Sequence, residues 1–346
     1  LGSQQGAFLM ITAEAKRIAP DQSPIDRLHA LIEPDIAAAE RVIHERMGSA
    51  VALIPDLAKH LVDSGGKRLR PLLNLAAARI CGYTGNAHVR LAAAVEFIHT
   101  ATLLHDDVVD TSSLRRGKIA ANIVWGNKPS ILVGDYLFSR AFQLMVEAGN
   151  LAVLDILSGA SAIIAEGEVM QLKSANNLAI TEADYLKVIS AKTAALFAAA
   201  AESGAAIADA SDEIVSGLRD YGYSLGIAFQ LIDDALDYSG RQAQMGKSVG
   251  DDFREAKVTL PVILAVSRAD DEAREFWRRV IEDGKQHEGD LKRAIGYVEE
   301  TGAIDETRAR AMHYADQAIG ALSVLPKSDL RDALEAIAEF CVGRGY

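Results

Sequence analysis

Two stretches of this sequence carry three aspartates in the same arrangement, Asp106-Asp107-Val108-Val109-Asp110 and Asp233-Asp234-Ala235-Leu236-Asp237. On a helix, the first and last carboxylates of each stretch lie one turn apart and share a face. Like charges at that spacing repel, and aspartates suit the C-terminal end of a helix dipole badly. Each cluster therefore weakens its own helix unless something positive sits between its carboxylates. A hard divalent cation meets that need: Mg²⁺ accepts carboxylate oxygen, keeps several waters and shares phosphate oxygens. Two such clusters, each after an apolar stretch, are placed to face one another across a cavity and clamp a diphosphate. A solvated helix end would explain one cluster. It does not explain two with the same spacing, each preceded by residues that should be buried.

Basic residues answer these acids. Gly65-Gly66-Lys67-Arg68-Leu69-Arg70-Pro71 puts glycines just before a helix start, with three cations close behind. Free N–H groups and a partial positive charge at a helix N-terminus suit a phosphate, although a turn with a solvated basic patch would look the same. Arg115 and Arg116 lie just past the first aspartates, and arginine grips phosphate oxygens bidentately. Lys192-Thr193 sits in an alanine-rich helix, where the lysine either snorkels to solvent or supplies a buried counter-charge. Lys247 and Lys257 flank a loop rich in glycine and charge, followed by Thr259-Leu260-Pro261 opening the next helix. His99, in Glu96-Phe97-Ile98-His99, reads first as a satisfied core histidine. A di-iron centre would need the Glu-x-x-His pair twice, and it occurs once.

The elements that must position these groups are helices. Apolar residues recur at helical spacing from Leu28 to Ala39, with Pro34 breaking the pattern, and then over Val51–Val62, Leu69–Ile80 and Ala87–Asp110. Further helices are expected over Ser130–Glu147, Leu151–Leu172, Glu182–Ala208, Ser211–Tyr238 and Leu260–Arg268, with three or four more beyond. No convincing strand appears. The stretches 87–104 and 151–166 are apolar nearly all round and are expected at the centre of a bundle. With no repeat and no Gly-, Pro- or Ser-rich linker, residues 11–346 read as a single all-α domain, a large bundle around a central cavity. Residues 1–10 read as a disordered end or cloning remnant.

Composition narrows the class. Nearly half of the 346 residues are apolar, enough for a sizeable core, and the net charge of −12 argues against a general nucleic-acid binder. Cys81 and Cys341 read as separate thiols of a reducing compartment. No stretch of eighteen uncharged apolar residues offers a transmembrane segment, and the first residues lack a signal-peptide pattern. A cytoplasmic location is expected.

In sequence order, GGKRLRP (65–71), EFIHTATLLHDDVVDTSSLRRG (96–117), KTAALF (192–197), GIAFQLIDDALDY (226–238) and GKSVGDDFREAKVTLP (246–261) together resemble the trans-type polyprenyl diphosphate synthases. These enzymes elongate isoprenoid chains head to tail. The resemblance implies Mg²⁺, three ions bound with the allylic substrate, and a homodimer. It implies Asp106, Asp110 and Asp233 as metal ligands, with Asp107, Asp234 and Asp237 in support and Gln171 touching the metal shell through water. Arg115, Lys192, Thr193, Gln230, Lys247 and Lys257 would hold the allylic prenyl diphosphate. Lys67, Arg70, His99 and Arg116 would hold isopentenyl diphosphate. Ionisation of the allylic diphosphate, attack by the isopentenyl double bond and proton loss to the released diphosphate would follow.

Chain length is also addressed. Ala101 and Thr102 lie about one turn before Asp106 and are small, where early-stopping relatives carry bulky aromatics. A bore several turns deep is expected, with Phe97, Phe142 or Met145 as a lower floor or as ordinary core. FIHTATLLHDDVVD resembles the octaprenyl-to-decaprenyl type that makes quinone side chains, with farnesyl or geranylgeranyl synthesis as the alternative. A non-catalytic heteromer subunit would have lost motif residues that are all present here. A terpene cyclase would not need the second basic set.

Overall fold

Prolines and caps set the first helix ends in the computed structural model, which describes residues 23–62, 66–115, 117–239 and 249–343. The expected loose end at 1–10, and the candidate residues Arg116 and Lys247, lie outside the described residues. Helix α1 (Pro24–Leu31) begins with proline in its first turn behind Ser23, whose side chain accepts the Asp26 N–H. The break expected near Pro34 falls at Ile32, and α2 (Glu33–Arg46) restarts with that proline in its first turn. Helices α3 (Leu53–Val62), α4 (Leu69–Ile80) and α5 (Ala87–Val109) follow as the periodicity predicts.

Between α5 and α6 (Ala121–Trp125) lies a feature absent from the sequence reading, a hairpin pairing Leu114–Arg115 with Lys118–Ile119. Its turn passes through Gly117 at φ 76°, which glycine adopts without steric cost. Two-residue strands carry too little alternation to be seen in a pattern. The Asn122 side-chain amide of α6 donates to the carbonyls of Asp107 and Ser112, so it holds the orphan end of α5.

The middle of the chain is α7 (Asn127–Ala148), α8 (Leu151–Ser174), α9 (Glu182–Ile189), α10 (Ala195–Ile207) and α11 (Asp212–Asp237). The single helix expected over 182–208 is interrupted by one π-helical turn at Ser190–Ala194, which carries Lys192 and Thr193. Such turns often mark functional positions, because they re-aim side chains out of the regular ladder. The C-terminal part adds α12 (Asp251–Arg254), α13 (Leu260–Ser267), α14 (Asp271–Trp277), α15 (Asp290–Glu300), α16 (Ala303–Ala321) and α17 (Asp329–Gly343).

Two apolar clusters organise these helices. The larger joins α1 to α5, α7, α8, α10 and α17 with the first half of α11, and includes Phe97, Phe197 and Tyr221. The smaller joins α9, α13, α14, α15 and the second half of α11, and includes Tyr185, Leu231, Tyr238 and Trp277. Helix α11 runs through both, and its aspartates lie beyond Ile232 at the end of its apolar run. The expectation for 87–104 holds, since α5 is buried on nearly every side over that stretch. The same expectation for 151–166 is corrected: α8 buries one face and exposes Leu151 and Ile163. An apolar sequence requires cover, but among the described residues no element supplies it for that face. No disulfide joins the two cysteines, Cys341 being buried and Cys81 partly so.

Candidate active site

Close helix packing places the central cations. A Cβ added at Gly167 of α8 would lie 2.9 Å from the Lys192 backbone nitrogen and 2.9 Å from Ala191 Cβ; one added at Gly226 of α11 would lie 2.7 Å from Ala194 Cα. The π turn bearing Lys192 and Thr193 is thus gripped between two helices that approach it through glycine. Gly167→Ala is expected to push α8 away, costing about 1–3 kcal/mol of stability, the usual cost of overpacking. Urea unfolding checks the stability loss, and turnover should fall with it because Lys192 moves.

From that turn, bonds lead to both aspartate clusters. Lys192 Nζ lies 2.8 Å from Glu168 Oε2 and 3.5 Å from Asp106 Oδ2. The Thr193 hydroxyl donates to Gln230 Oε1 at 2.8 Å, and the Gln230 amide donates to Asp234 Oδ1 at 2.7 Å. Tyr185, two turns before Lys192 in sequence, donates its phenol to Asp234 Oδ2 at 2.5 Å. Lys257 Nζ reaches Asp110 Oδ2 at 2.8 Å and Glu255 Oε2 at 2.5 Å. One cleft is lined by Asp110, Glu168, Gln171, Lys192, Thr193, Gln230, Asp234 and Lys257. One aspartate of each cluster, Asp110 and Asp234, therefore lines one cavity, which Asp106 meets through Lys192 and of which Asp233 is not a lining residue; apolar Val109, Leu172, Ile180, Val188 and Ile189 are on its walls.

Within each cluster the aspartates differ. Asp107 is fully buried and accepts two bonds from Arg115, at 2.8 and 2.5 Å, so here Arg115 faces an aspartate. Asp234 is buried, and Asp233 beside it is exposed at the helix surface. Asp237 accepts the backbone N–H groups of Gly250, Asp251 and Asp252, which pins the returning chain at the start of α12. Arg70 lies 3.2 Å from His99 and stacks on Phe197, while Lys67 lies over Phe340. Ala101 is fully buried in the larger core and does not line the cleft, and the Thr102 hydroxyl donates to the His99 carbonyl. Phe97 and Met145 are fully buried, whereas Phe142 faces outward and cannot form an internal floor.

Sequence reasoning missed Tyr185, Asp252 and Glu255 and gave Glu168 no role. Tyr185 stands seven residues before Lys192, a same-face spacing that could have flagged it. Glu168 had no such signal, because its partner is on another helix.

Electrostatically the site is overloaded with acid. Burial, then the neighbouring Asp106 carboxylate, push Glu168 up to about 7 against the pull of Lys192. Burial likewise carries Asp234 up to about 7 despite its bonds from Tyr185 and Gln230. Desolvation works against Lys257, yet Asp110 and Glu255 outweigh it and hold its ammonium above the ordinary lysine range. Both carboxyls keep protons in the folded chain that the unfolded chain has released, from the ordinary carboxylate range up to about pH 7. Stability therefore falls as pH rises through that window. The metal-free protein is expected to melt lower at pH 8 than at pH 6.5, and Mg²⁺ with pyrophosphate should flatten the trend in a thermal-melt series.

The donor set suits Mg²⁺. It offers hard oxygen donors, carboxylates foremost, and Glu168 Oε1 and Asp107 Oδ2 are buried without a hydrogen-bond partner. Among the described residues no three acidic, histidine or cysteine side chains converge enough to hold an ion alone.

The polyprenyl synthetase family model matches residues 51–298, and the chain belongs to this family. It is a prenyltransferase. It is 47% identical to octaprenyl diphosphate synthase of Escherichia coli (strain K12), over 92% of this chain and 99% of that protein. Among solved structures, a decaprenyl diphosphate synthase from Rhodobacter capsulatus superposes with TM-score 0.90 at 55% identity, covering 93% of this chain and 99% of that one. A polyprenyl synthase from Caulobacter crescentus CB15, complexed with calcium and isoprenyl diphosphate, gives TM-score 0.90 at 54% identity, covering 92% and 98%.

Proposed function

We propose that this protein adds isopentenyl diphosphate units in sequence to an allylic prenyl diphosphate, giving an all-trans product of octaprenyl-to-decaprenyl length for quinone side chains. The observation that carries the reading is the cleft on which one aspartate of each cluster, Asp110 and Asp234, converges with Lys192, Thr193, Gln230 and Lys257. The high identity to octaprenyl and decaprenyl synthases supports the product length.

Asp106, Asp110 and Asp233 would hold Mg²⁺ together with the allylic diphosphate; the calcium-bound relative supports a hard cation. When bound, the metal supplies charge stabilisation to the departing diphosphate oxygen. Lys192, Lys257 and, once turned from Asp107, Arg115 add fixed positive charge at the same oxygens, preorganised in a cleft with apolar walls. Lys67, Arg70 and His99 hold isopentenyl diphosphate beside it. Proximity in that geometry lowers the barrier by about 7–11 kcal/mol at best. Asp107, Asp234 and Asp237 act as supports through Arg115, Tyr185 and the α12 backbone.

A second copy of the chain is the proposed partner. Ile131, Leu132, Phe142 and Val146 form an exposed apolar face on α7, and Leu151 and Ile163 expose another on α8. Sedimentation reads the oligomeric state.

The test of function is direct. The protein is incubated with radiolabelled isopentenyl diphosphate, farnesyl diphosphate and Mg²⁺, and the extracted lipids are sized. Octaprenyl-to-decaprenyl products are expected. Products stopping at geranylgeranyl length would overturn the long-chain assignment, and absence of any condensation would overturn the reading itself.

A further inference from the structure

Each outer aspartate of the first cluster shares its lysine with a glutamate. Lys192 lies between Asp106 and Glu168, and Lys257 between Asp110 and Glu255. The two lysines come from unrelated parts of the chain, and Glu168 stands 24 residues from Lys192, so helical periodicity does not produce the repetition. At the first of these sites the fold works to create the contact. Gly167 brings α8 against the backbone of Lys192 and so delivers the adjacent Glu168. That glutamate is held there although its Oε1 atom is buried without a hydrogen-bond partner, an arrangement that stability alone does not favour.

A cation held by Asp106 and Asp110 would compete with each lysine for its aspartate. Neither that competition nor diphosphate binding need part the lysine from its glutamate, because an ammonium carries three donors and can keep one bond while giving others to phosphate. We infer that Glu168 and Glu255 are positioning residues: they hold Lys192 and Lys257 at the cleft wall while the aspartates pass from lysine to metal. This rests on the diphosphate-binding reading above. Without the glutamate, a long flexible lysine must be ordered when the diphosphate arrives, and in the free protein it settles wholly on the aspartate that the metal needs. Plain charge repulsion predicts the reverse, since removing a carboxylate beside a diphosphate site should tighten binding. The sign of the effect separates the two.

The experiment is a calorimetric titration of inorganic pyrophosphate with Mg²⁺ at pH 8. It uses the wild type, Glu168→Gln, Lys192→Met and the double variant, and the corresponding set at Glu255 and Lys257. Lys192→Met is expected to weaken binding. Glu168→Gln is expected to weaken it about tenfold, the scale of one charge-assisted hydrogen bond, and to cause no loss when Lys192 is already methionine. In turnover, Glu168→Gln should raise KM for the allylic diphosphate and leave kcat largely intact. Glu255 lies in a short connection between helices, so Glu255→Gln reads the same sign with little risk to folding. Unchanged or tighter binding in both glutamine variants would overturn the inference, as would an equal loss in the methionine backgrounds. If Lys192→Met leaves pyrophosphate affinity unchanged, the diphosphate reading of the site itself fails.

Discussion

Asp106→Ala protein should fold normally and lose turnover by about 10²–10³-fold or more, the scale of removing one preorganised electrostatic group from a transition state. In the free chain Asp106 raises the proton affinity of Glu168, and its carboxylate stands at the end of a helix where negative charge is unfavourable. Removing it relieves both, while Lys192 keeps Glu168 as a partner at 2.8 Å. The variant is therefore expected to melt at or above the wild-type temperature even as activity collapses. Asp233→Ala should likewise lose turnover, and as Asp233 is exposed its removal opens no cavity in the core. Thermal melts beside assays at saturating Mg²⁺ check both halves. Near-normal turnover in folded Asp106→Ala protein would remove the metal-ligand assignment.

Ala101→Tyr is expected to shift the product from octaprenyl-to-decaprenyl length toward farnesyl or geranylgeranyl length. Position 101 lies five residues before Asp106, roughly 7–8 Å along α5, on the apolar side of the metal end. Ala101 is fully buried and does not line the cleft, so the growing chain must displace side chains along this face of α5, where a phenol ring would block it. The substitution also overpacks a dense core at a cost of about 1–3 kcal/mol, so a melt must accompany the lipid sizing. If folded variant protein makes products of unchanged length, the chain leaves the site along a different wall, and α5 does not set the stop.

Much of the architecture was legible because it is local. The starts of α4 and α5, the interruption before Pro34 and the length of α11 follow from apolar spacing, proline and turn residues within one helical turn of each position. The aspartate clusters were legible for the same reason, since carboxylates four residues apart announce their shared face. Two local features escaped. The hairpin at Leu114–Ile119 is too short to show alternation, and the π turn at Ser190–Ala194 answers to neighbours, being gripped through Gly167 and Gly226. The outward faces of α7 and α8 escaped too, because apolarity shows that a face requires cover and not what provides it.

The sequence by itself determined that this chain is helical, which residues bear the acid and the cations, and hence the chemistry they can perform. Only the tertiary structure decided who meets whom. Tyr185 reaches Asp234 across 49 residues and Lys257 reaches Asp110 across 147, while Glu168 finds Lys192 on a separate helix. Helical periodicity carries information over a turn or two, whereas these pairings depend on which helices cross and how closely glycine lets them approach.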